Sequence, residues 1–205
     1  MKSDNCSIIV CTYNRLEYLK KCISSLLEID FPTYEIVIVN DGSTDGTKEF
    51  LNSQYSRNKK ITVVHHKQNK GLSQARNTGI KTAKYDIVIF TDDDCKADKN
   101  WLTQMLKGFS DEKVGLVMGQ VFYVDKNYHG YFPERLVSNI DALWPMGCNV
   151  AYRKEVFKKC GYFDDFFFPY NNEDAEMALR TIKNGYRYAQ LPKAVIYHQK
   201  IDWNT

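Results

Sequence analysis

The chain of 205 residues contains no apolar run approaching the roughly 20 residues that a membrane-crossing helix needs. No secretory leader opens it, because Ser3-Asp4-Asn5 interrupts any apolar stretch. A cytoplasmic protein is expected, with peripheral docking at the inner membrane face left open. Charge of one sign is also lacking. Lys and Arg number 28 against 25 Asp and Glu, for a net charge of +3. The basic residues are scattered, and the densest cluster, Arg57-Asn58-Lys59-Lys60, sits beside a loop. That argues against a nucleic-acid surface. The six cysteines form no CxxC pair and several fall in apolar patterns, so buried free thiols in a reducing compartment are expected. GxxxxGK[ST] and GxGxxG are both missing, which argues against P-loop ATPases and Rossmann dehydrogenases. No internal repeat, low-complexity tract or linker divides the chain, so one domain over 1–205 is expected.

What is present is the profile of a globular protein, with 43% hydrophobic and 26% charged residues. Short runs rich in Ile and Val alternate with helical patterns. Ser7–Cys11, Tyr34–Val39, Ile61–His66 and Asp86–Phe90 read as strands. Their near-continuous apolar character marks strands covered on both faces, as in a parallel sheet. Between and after them, Leu16 to Leu27, Thr47–Asn52, Leu72–Ala83 and Asn100–Phe109 read as helices, with Ser73 a possible cap. The second half is less regular. Val114–Val124, Gly147–Arg153 and Tyr188–His198 look like strands, and Glu155–Lys159 looks helical. "NEDAEMALRTIKNG" is a well-marked helix, with Asn172 as N-cap and Gly185 closing it. Tyr128–Trp144 fits no element and is expected to be a mobile flap. The fold class is α/β, a mainly parallel central sheet with helices on both faces.

In an open parallel sheet, ligands bind at the carboxyl ends of the strands. There the sequence places Thr12-Tyr13-Asn14-Arg15, then Asn40-Asp41-Gly42-Ser43, then Asn69-Lys70-Gly71 with Arg76, then Asp92-Asp93-Asp94. Two carboxylates about 4 Å apart repel by roughly 4 kcal/mol at an effective dielectric of about 20. In an extended chain Asp92 and Asp94 share one side, where a divalent cation removes that repulsion and presents a point for a diphosphate. A solvated acidic turn is the simpler alternative. Asp41 is suited to a nucleobase, since a carboxylate accepts from a ring N–H of uracil, thymine or guanine. Lys70 and Arg76 supply positive charge for a phosphate or for the acidic cluster.

Taken in order, "CTYNR", "NDGSTDGT", "NKGLSQARNTGI", "FTDDD", "GCNVAYRKEVF", "NNEDAEMALR" and His198 resemble the GT-A-fold glycosyltransferases, and among them the inverting family 2. The resemblance covers nearly the whole chain. It implies a nucleotide-binding half over about 1–98 and an acceptor and catalytic half over about 99–205. It also implies that Thr12 and Asp41 hold the base, with Tyr13, Arg15, Lys70 and Arg76 around the nucleotide. Asp92 or Asp93 would contact ribose or donor sugar, and Asp94 with His198 would bind Mn²⁺ or Mg²⁺. An imidazole ligand favours Mn²⁺. Asp174, beside Glu173, matches the catalytic base. Trp144, Gly147 and Asn149 match the sugar and acceptor region. The donor implied is a UDP-sugar, less readily a dTDP- or GDP-sugar. The acceptor is a glycan, a lipid-linked sugar or a small metabolite. No QxxRW-like sequence follows the Glu-Asp pair, which favours single additions over polymerisation. Which sugar, which acceptor and which oligomeric state are beyond the sequence.

Overall fold

Strand alternation sorts the apolar residues of the first half into two cores. Ile8, Val10, Ile36, Ile38 and Ile89 fall in one, and Ile9, Val37, Val39, Val88 and Phe90 in the other. A sheet with both faces buried needs this, and each fully buried Val or Ile contributes about 1.5–3 kcal/mol. The computed structural model describes residues 5–124, 145–167 and 172–199. Its elements run β1 (Cys6–Thr12), α1 (Leu16–Leu27), β2 (Tyr34–Asn40), α2 (Thr47–Tyr55), β3 (Ile61–His65), α3 (Leu72–Thr82) and β4 (Ile87–Asp92). Then follow β5 (Cys95–Ala97), α4 (Trp101–Leu106), β6 (Val114–Val124), β7 (Val150–Arg153), α5 (Lys154–Cys160), α6 (Glu173–Lys183) and β8 (Arg187–Gln199).

The strands form one eight-stranded sheet in the order β3-β2-β1-β4-β7-β6-β8-β5. The first four are mutually parallel, as expected from their unbroken apolar runs. Beyond β4 the sheet is mixed: β7 runs antiparallel to β4 and β6, and β5 antiparallel to β8, while β6 and β8 are parallel.

Several local details differ from expectation. Gly147–Asn149 forms a 3-10 turn and β7 starts only at Val150. Helix α4 stops at Leu106 and passes into a 3-10 turn over Lys107–Ser110. Ser73 lies inside α3, whose N-cap is Gly71, and its hydroxyl donates to Asp164 O at 2.9 Å. Asn172 is at the N-cap of α6, but in a left-handed conformation (φ 82°) and with no side-chain capping bond. The segment Tyr128–Trp144 lies outside the described residues.

Candidate functional site

The register of β1 brings the strand ends together. Thr12 faces Asn40 of β2, and Cys11 faces Asp92 of β4. Around these ends opens a cavity of about 420 Å³. Thr12, Tyr13, Arg15, Asp41, Arg76, Asp92, Asp93, Asp94, Gly147, Glu173, Asp174 and His198 all line it. Two described residues expected at the site are not on that lining. Lys70 exposes its side chain and contributes its backbone N–H to Asp41. Asn149 is 1% exposed and is a strut: it accepts from Trp101 Nε1 at 2.8 Å and donates to Gln120 O and Ala194 O. Trp144 lies outside the described residues.

The three aspartates part company at the end of β4. The chain turns at Asp93 and Asp94 instead of staying extended. Asp93 points to β1, accepting from Thr12 Oγ1 at 2.7 Å and pairing with Arg15 Nη1 at 3.0 Å. Burial pushes its carboxyl up to about 7, against the opposing pull of Arg15 and Thr12. Burial also raises the Asp92 carboxyl, and Arg76 counters it. Asp94 pairs with Arg15 Nη2 at 2.7 Å and faces His198.

Strand pairing explains the histidine. Cys95 of β5 is registered against His198 of β8, so the imidazole hangs beside Asp94. His198 Nδ1 donates to Gln199 O at 2.9 Å, since a carbonyl can only accept, and Nε2 faces Asp94 Oδ1 at 3.4 Å. Ligand atoms from Asp92, Asp94 and His198 lie within 4.8 Å of one another. Two oxygens and one nitrogen this close together, with the second ring nitrogen fixed by a carbonyl, fit a divalent cation. Cys95 and Cys148 form a neighbouring set with His198. Burial pushes the Cys95 thiol well up, with a hydrogen bond to Cys148 adding to it, so this free thiol is held neutral.

On the far wall, Arg76 of α3 is 4% exposed and reaches across to α6. It ion-pairs with Glu173 and approaches Asp92 Oδ1 at 3.7 Å, its guanidinium lying over the rings of Phe90 and Phe163. Asp174, one residue on, is held differently. Its Oδ2 accepts from Gly147 N and its Oδ1 from Ala175 N, both at 2.8 Å. A Cβ on Gly147 would lie 2.4 Å from Arg76 Nη2 and 3.1 Å from Asp174 Oδ2, so a side chain there would push the Arg76 guanidinium from its place.

Asp41 is nearly enclosed. Its carboxylate receives His66 Nδ1, Lys70 N and Gly71 N, at distances from 2.6 to 3.1 Å. His66 is the site residue that the sequence hides. Next to His65 in an apolar strand pattern, it gives no local signal, and only the pairing of β2 with β3 brings it to Asp41.

A family model described as Glycosyl transferase family 2 matches residues 7–177. The chain is 31% identical over 164 residues to "Glycosyltransferase GlyA" of Streptococcus pneumoniae, covering 80% of this chain and 22% of that protein. It is 32% identical over 123 residues to "Glycosyltransferase AglE" of Haloferax volcanii, covering 59% and 40%. The chain thus spans less than half the length of these relatives. Among solved structures, the mannosyltransferase PcManGT from Pyrobaculum calidifontis, in complex with GDP-Man and Mn²⁺, superposes with a TM-score of 0.80 at 21% identity, covering 97% of this chain and 58% of that one. Staphylococcus aureus TarS 1–349 in complex with UDP-GlcNAc gives 0.79 at 24% identity, covering 97% and 59%. At these identities the superpositions establish the GT-A fold. Among the described residues, no helix is long and apolar enough to cross a membrane.

Proposed function

The chain belongs to glycosyl transferase family 2, and from that premise we propose that it moves a sugar from a nucleotide-diphosphate donor to a hydroxyl acceptor with inversion. The single observation carrying this reading is the shared cavity. Side chains suited to a base, a metal-bound diphosphate and a proton acceptor all line one space of about 420 Å³. The structural likeness to proteins holding GDP-Man with Mn²⁺ and UDP-GlcNAc supports a nucleotide-sugar donor.

Each residue takes a part that its surroundings allow. Thr12 and Asp41 would meet the base, and Tyr13 and Arg15 line the same cavity. Asp92, Asp94 and His198 would hold Mn²⁺ or Mg²⁺. When bound, the ion supplies positive charge against the leaving nucleoside diphosphate. Arg76 adds a fixed cation near Asp92, and Glu173, already paired with Arg76, tethers it. Asp174 is left as the proton acceptor. Each of its oxygens receives one backbone N–H, which fixes the carboxylate and leaves lone pairs for an acceptor hydroxyl. Accepting the proton as the hydroxyl attacks contributes typically 10²–10⁴-fold. Attack opposite the diphosphate inverts the anomeric carbon and needs no covalent intermediate.

The test is release of nucleoside diphosphate from UDP-sugars with and without Mn²⁺, and with candidate glycan or lipid-linked acceptors. Metal-dependent turnover is expected. Nucleotide-sugar binding without turnover across an acceptor panel would instead mark a binding module, and formation of a nucleotide-sugar from sugar phosphate a nucleotidyltransferase.

A further inference from the structure

We propose that Cys95, Cys148 and His198 form a second cation site, for a thiophilic ion such as Zn²⁺, and that an ion there takes His198 away from Asp92 and Asp94. The site itself stands on the three side chains alone. Its effect on the neighbouring acidic set rests on the reading above, in which Asp92, Asp94 and His198 hold Mn²⁺ or Mg²⁺.

Three separate elements deliver the ligands. Cys95 opens β5 and is registered against His198 of β8, so sulfur and imidazole leave paired strands on the same side. Cys148 comes from the 3-10 turn Gly147–Asn149, which Asn149 anchors by accepting from Trp101 Nε1 and donating to Gln120 O and Ala194 O. Both cysteines are free thiols, 1% and 2% exposed. Their sulfurs and one ring nitrogen of His198 lie within 4.8 Å of one another. Sulfurs at about 2.3 Å and a nitrogen at about 2.0 Å from a tetrahedral Zn²⁺ stand about 3.5–3.8 Å apart, so closing the set takes side-chain shifts of about 1 Å.

The donors decide which ion fits. Two sulfurs and an imidazole suit Zn²⁺ or Cu⁺ and match Mg²⁺ or Mn²⁺ poorly, while the oxygens of Asp92 and Asp94 suit those harder ions. Each thiol gives its proton to solvent as its sulfur bonds the metal. Two thiolates and one Zn²⁺ then sum to zero, so a filled site buries no net charge. Cys148 and His198 both line the cavity, which gives an ion its way in. Three protein ligands leave the fourth tetrahedral position to water.

His198 cannot serve both sets. Its Nδ1 donates to Gln199 O at 2.9 Å, so Nε2 is the nitrogen that turns to a metal, and it carries one lone pair. That nitrogen faces Asp94 Oδ1 at 3.4 Å, and Cys95 Sγ lies 3.8 Å from the same oxygen. The two sets are therefore adjacent and joined at one atom. A thiophilic ion bound through Nε2 leaves Asp92 and Asp94 without their nitrogen ligand and puts a second dication beside any Mn²⁺ they hold. Zn²⁺ thus acts as an antagonist of Mn²⁺ here, from sulfurs that Mn²⁺ does not use.

Cobalt, a spectroscopic stand-in for zinc, tests the site on the full 205-residue chain kept reduced with a phosphine. Co²⁺ should produce a sulfur-to-cobalt charge-transfer band that Zn²⁺ abolishes; cobalt on Asp92, Asp94 and His198 gives no such band. Cys95→Ala, Cys148→Ala and His198→Ala should each weaken Co²⁺ binding by at least about tenfold, since even the partners behind a ligand are worth about 10–100-fold. Cys160→Ala, outside the set, should keep the band. Absence of the band in the parent overturns the proposal whether or not any variant folds. A band that survives both Cys95→Ala and Cys148→Ala, or falls with Cys160→Ala, marks other thiols and overturns it too. Bound Mn²⁺, read by loss of the free-ion paramagnetic resonance signal, should be released by Zn²⁺, and release should need at least about tenfold more Zn²⁺ in Cys148→Ala. Parent protein that holds both ions together, or equal release in the variant, overturns the sharing of His198. No Mn²⁺ binding at all would sink the reading of the acidic set and the antagonism with it, while the cobalt band decides the cysteine site by itself.

Discussion

Asp93→Asn should make the metal-free protein more stable, and increasingly so as pH rises. The Asp93 side chain is almost fully buried, and its carboxyl is raised from an ordinary 3.8 to about 7. Below the lower value both native and unfolded chains are protonated and nothing is lost. Between the two, the unfolded chain has released its proton while the native chain retains it, so stability falls with rising pH until the full cost is in place above about 7. A shift of roughly 3 units corresponds to about 4 kcal/mol at most, with about 2 kcal/mol already lost at pH 5. The opposing effect of the Arg15 ion pair is contained in that shift. Asparagine keeps an acceptor for Arg15 and turns its amide toward Thr12, whose hydroxyl can rotate to accept.

Urea unfolding of parent and variant, in chelator, at about pH 5 and pH 8, isolates the effect as a difference of differences. The gain from Asp93→Asn should grow by about 2 kcal/mol between the two. Repeating the pH 8 measurement with Mn²⁺ should narrow the gap, because a bound cation favours the buried ionised carboxylate that the substitution removes. A variant no more stable than its parent at pH 8, or a gain that shrinks with rising pH, would refute the reasoning.

Asp174→Asn should lower turnover by about 10²–10⁴-fold while leaving UDP affinity unchanged, checked by pairing initial rates with calorimetry. Gly147→Ala should cost at least about tenfold in turnover, because the new Cβ lies 2.4 Å from Arg76 Nη2 and 3.1 Å from Asp174 Oδ2 and small misplacements of catalytic groups are expensive; rates at saturating donor check it. Asn149→Ala removes three buried hydrogen bonds and should cost about 2–4 kcal/mol of stability, read by urea unfolding, with UDP affinity of the folded fraction retained.

Legibility in the sequence followed locality. The first four strands were readable because a strand buried on both faces is an unbroken apolar run, and Val37 to Val39 show it within three residues. The site edge was readable because polar and glycine-rich residues follow each run directly. Contacts set by strand order were not readable. Short β5 has no periodicity of its own, and its pairing with β8 is what brings His198 to Asp94. The ion pair of Arg76 with Glu173 joins residues 97 positions apart. Asn149 resembled a site residue because it sits beside Gly147, yet the 3-10 turn there directs the two to different places: Gly147 to the cavity, Asn149 into the core. His66 was hidden for the converse reason, an imidazole at the end of an apolar run whose partner, Asp41, follows another strand.

On the proposed function, the charges around the cavity would couple donor binding to metal binding. Among the described residues its lining carries six carboxylates, from Asp41, Asp92, Asp93, Asp94, Glu173 and Asp174, against two guanidiniums, from Arg15 and Arg76. Both arginines are already committed, Arg15 to Asp93 and Asp94 and Arg76 to Glu173. A bare diphosphate would enter an enclosed space of its own sign, where the repulsion is poorly screened. A divalent cation reverses that balance only where the acids are densest, between Asp92, Asp94 and His198. A metal bound there would bind more tightly with the diphosphate present, and the diphosphate with the metal, by the same factor. On the proposed function, the acidic run that closes β4 would be costly to the empty protein and would disfavour phosphates that arrive without a counter-ion.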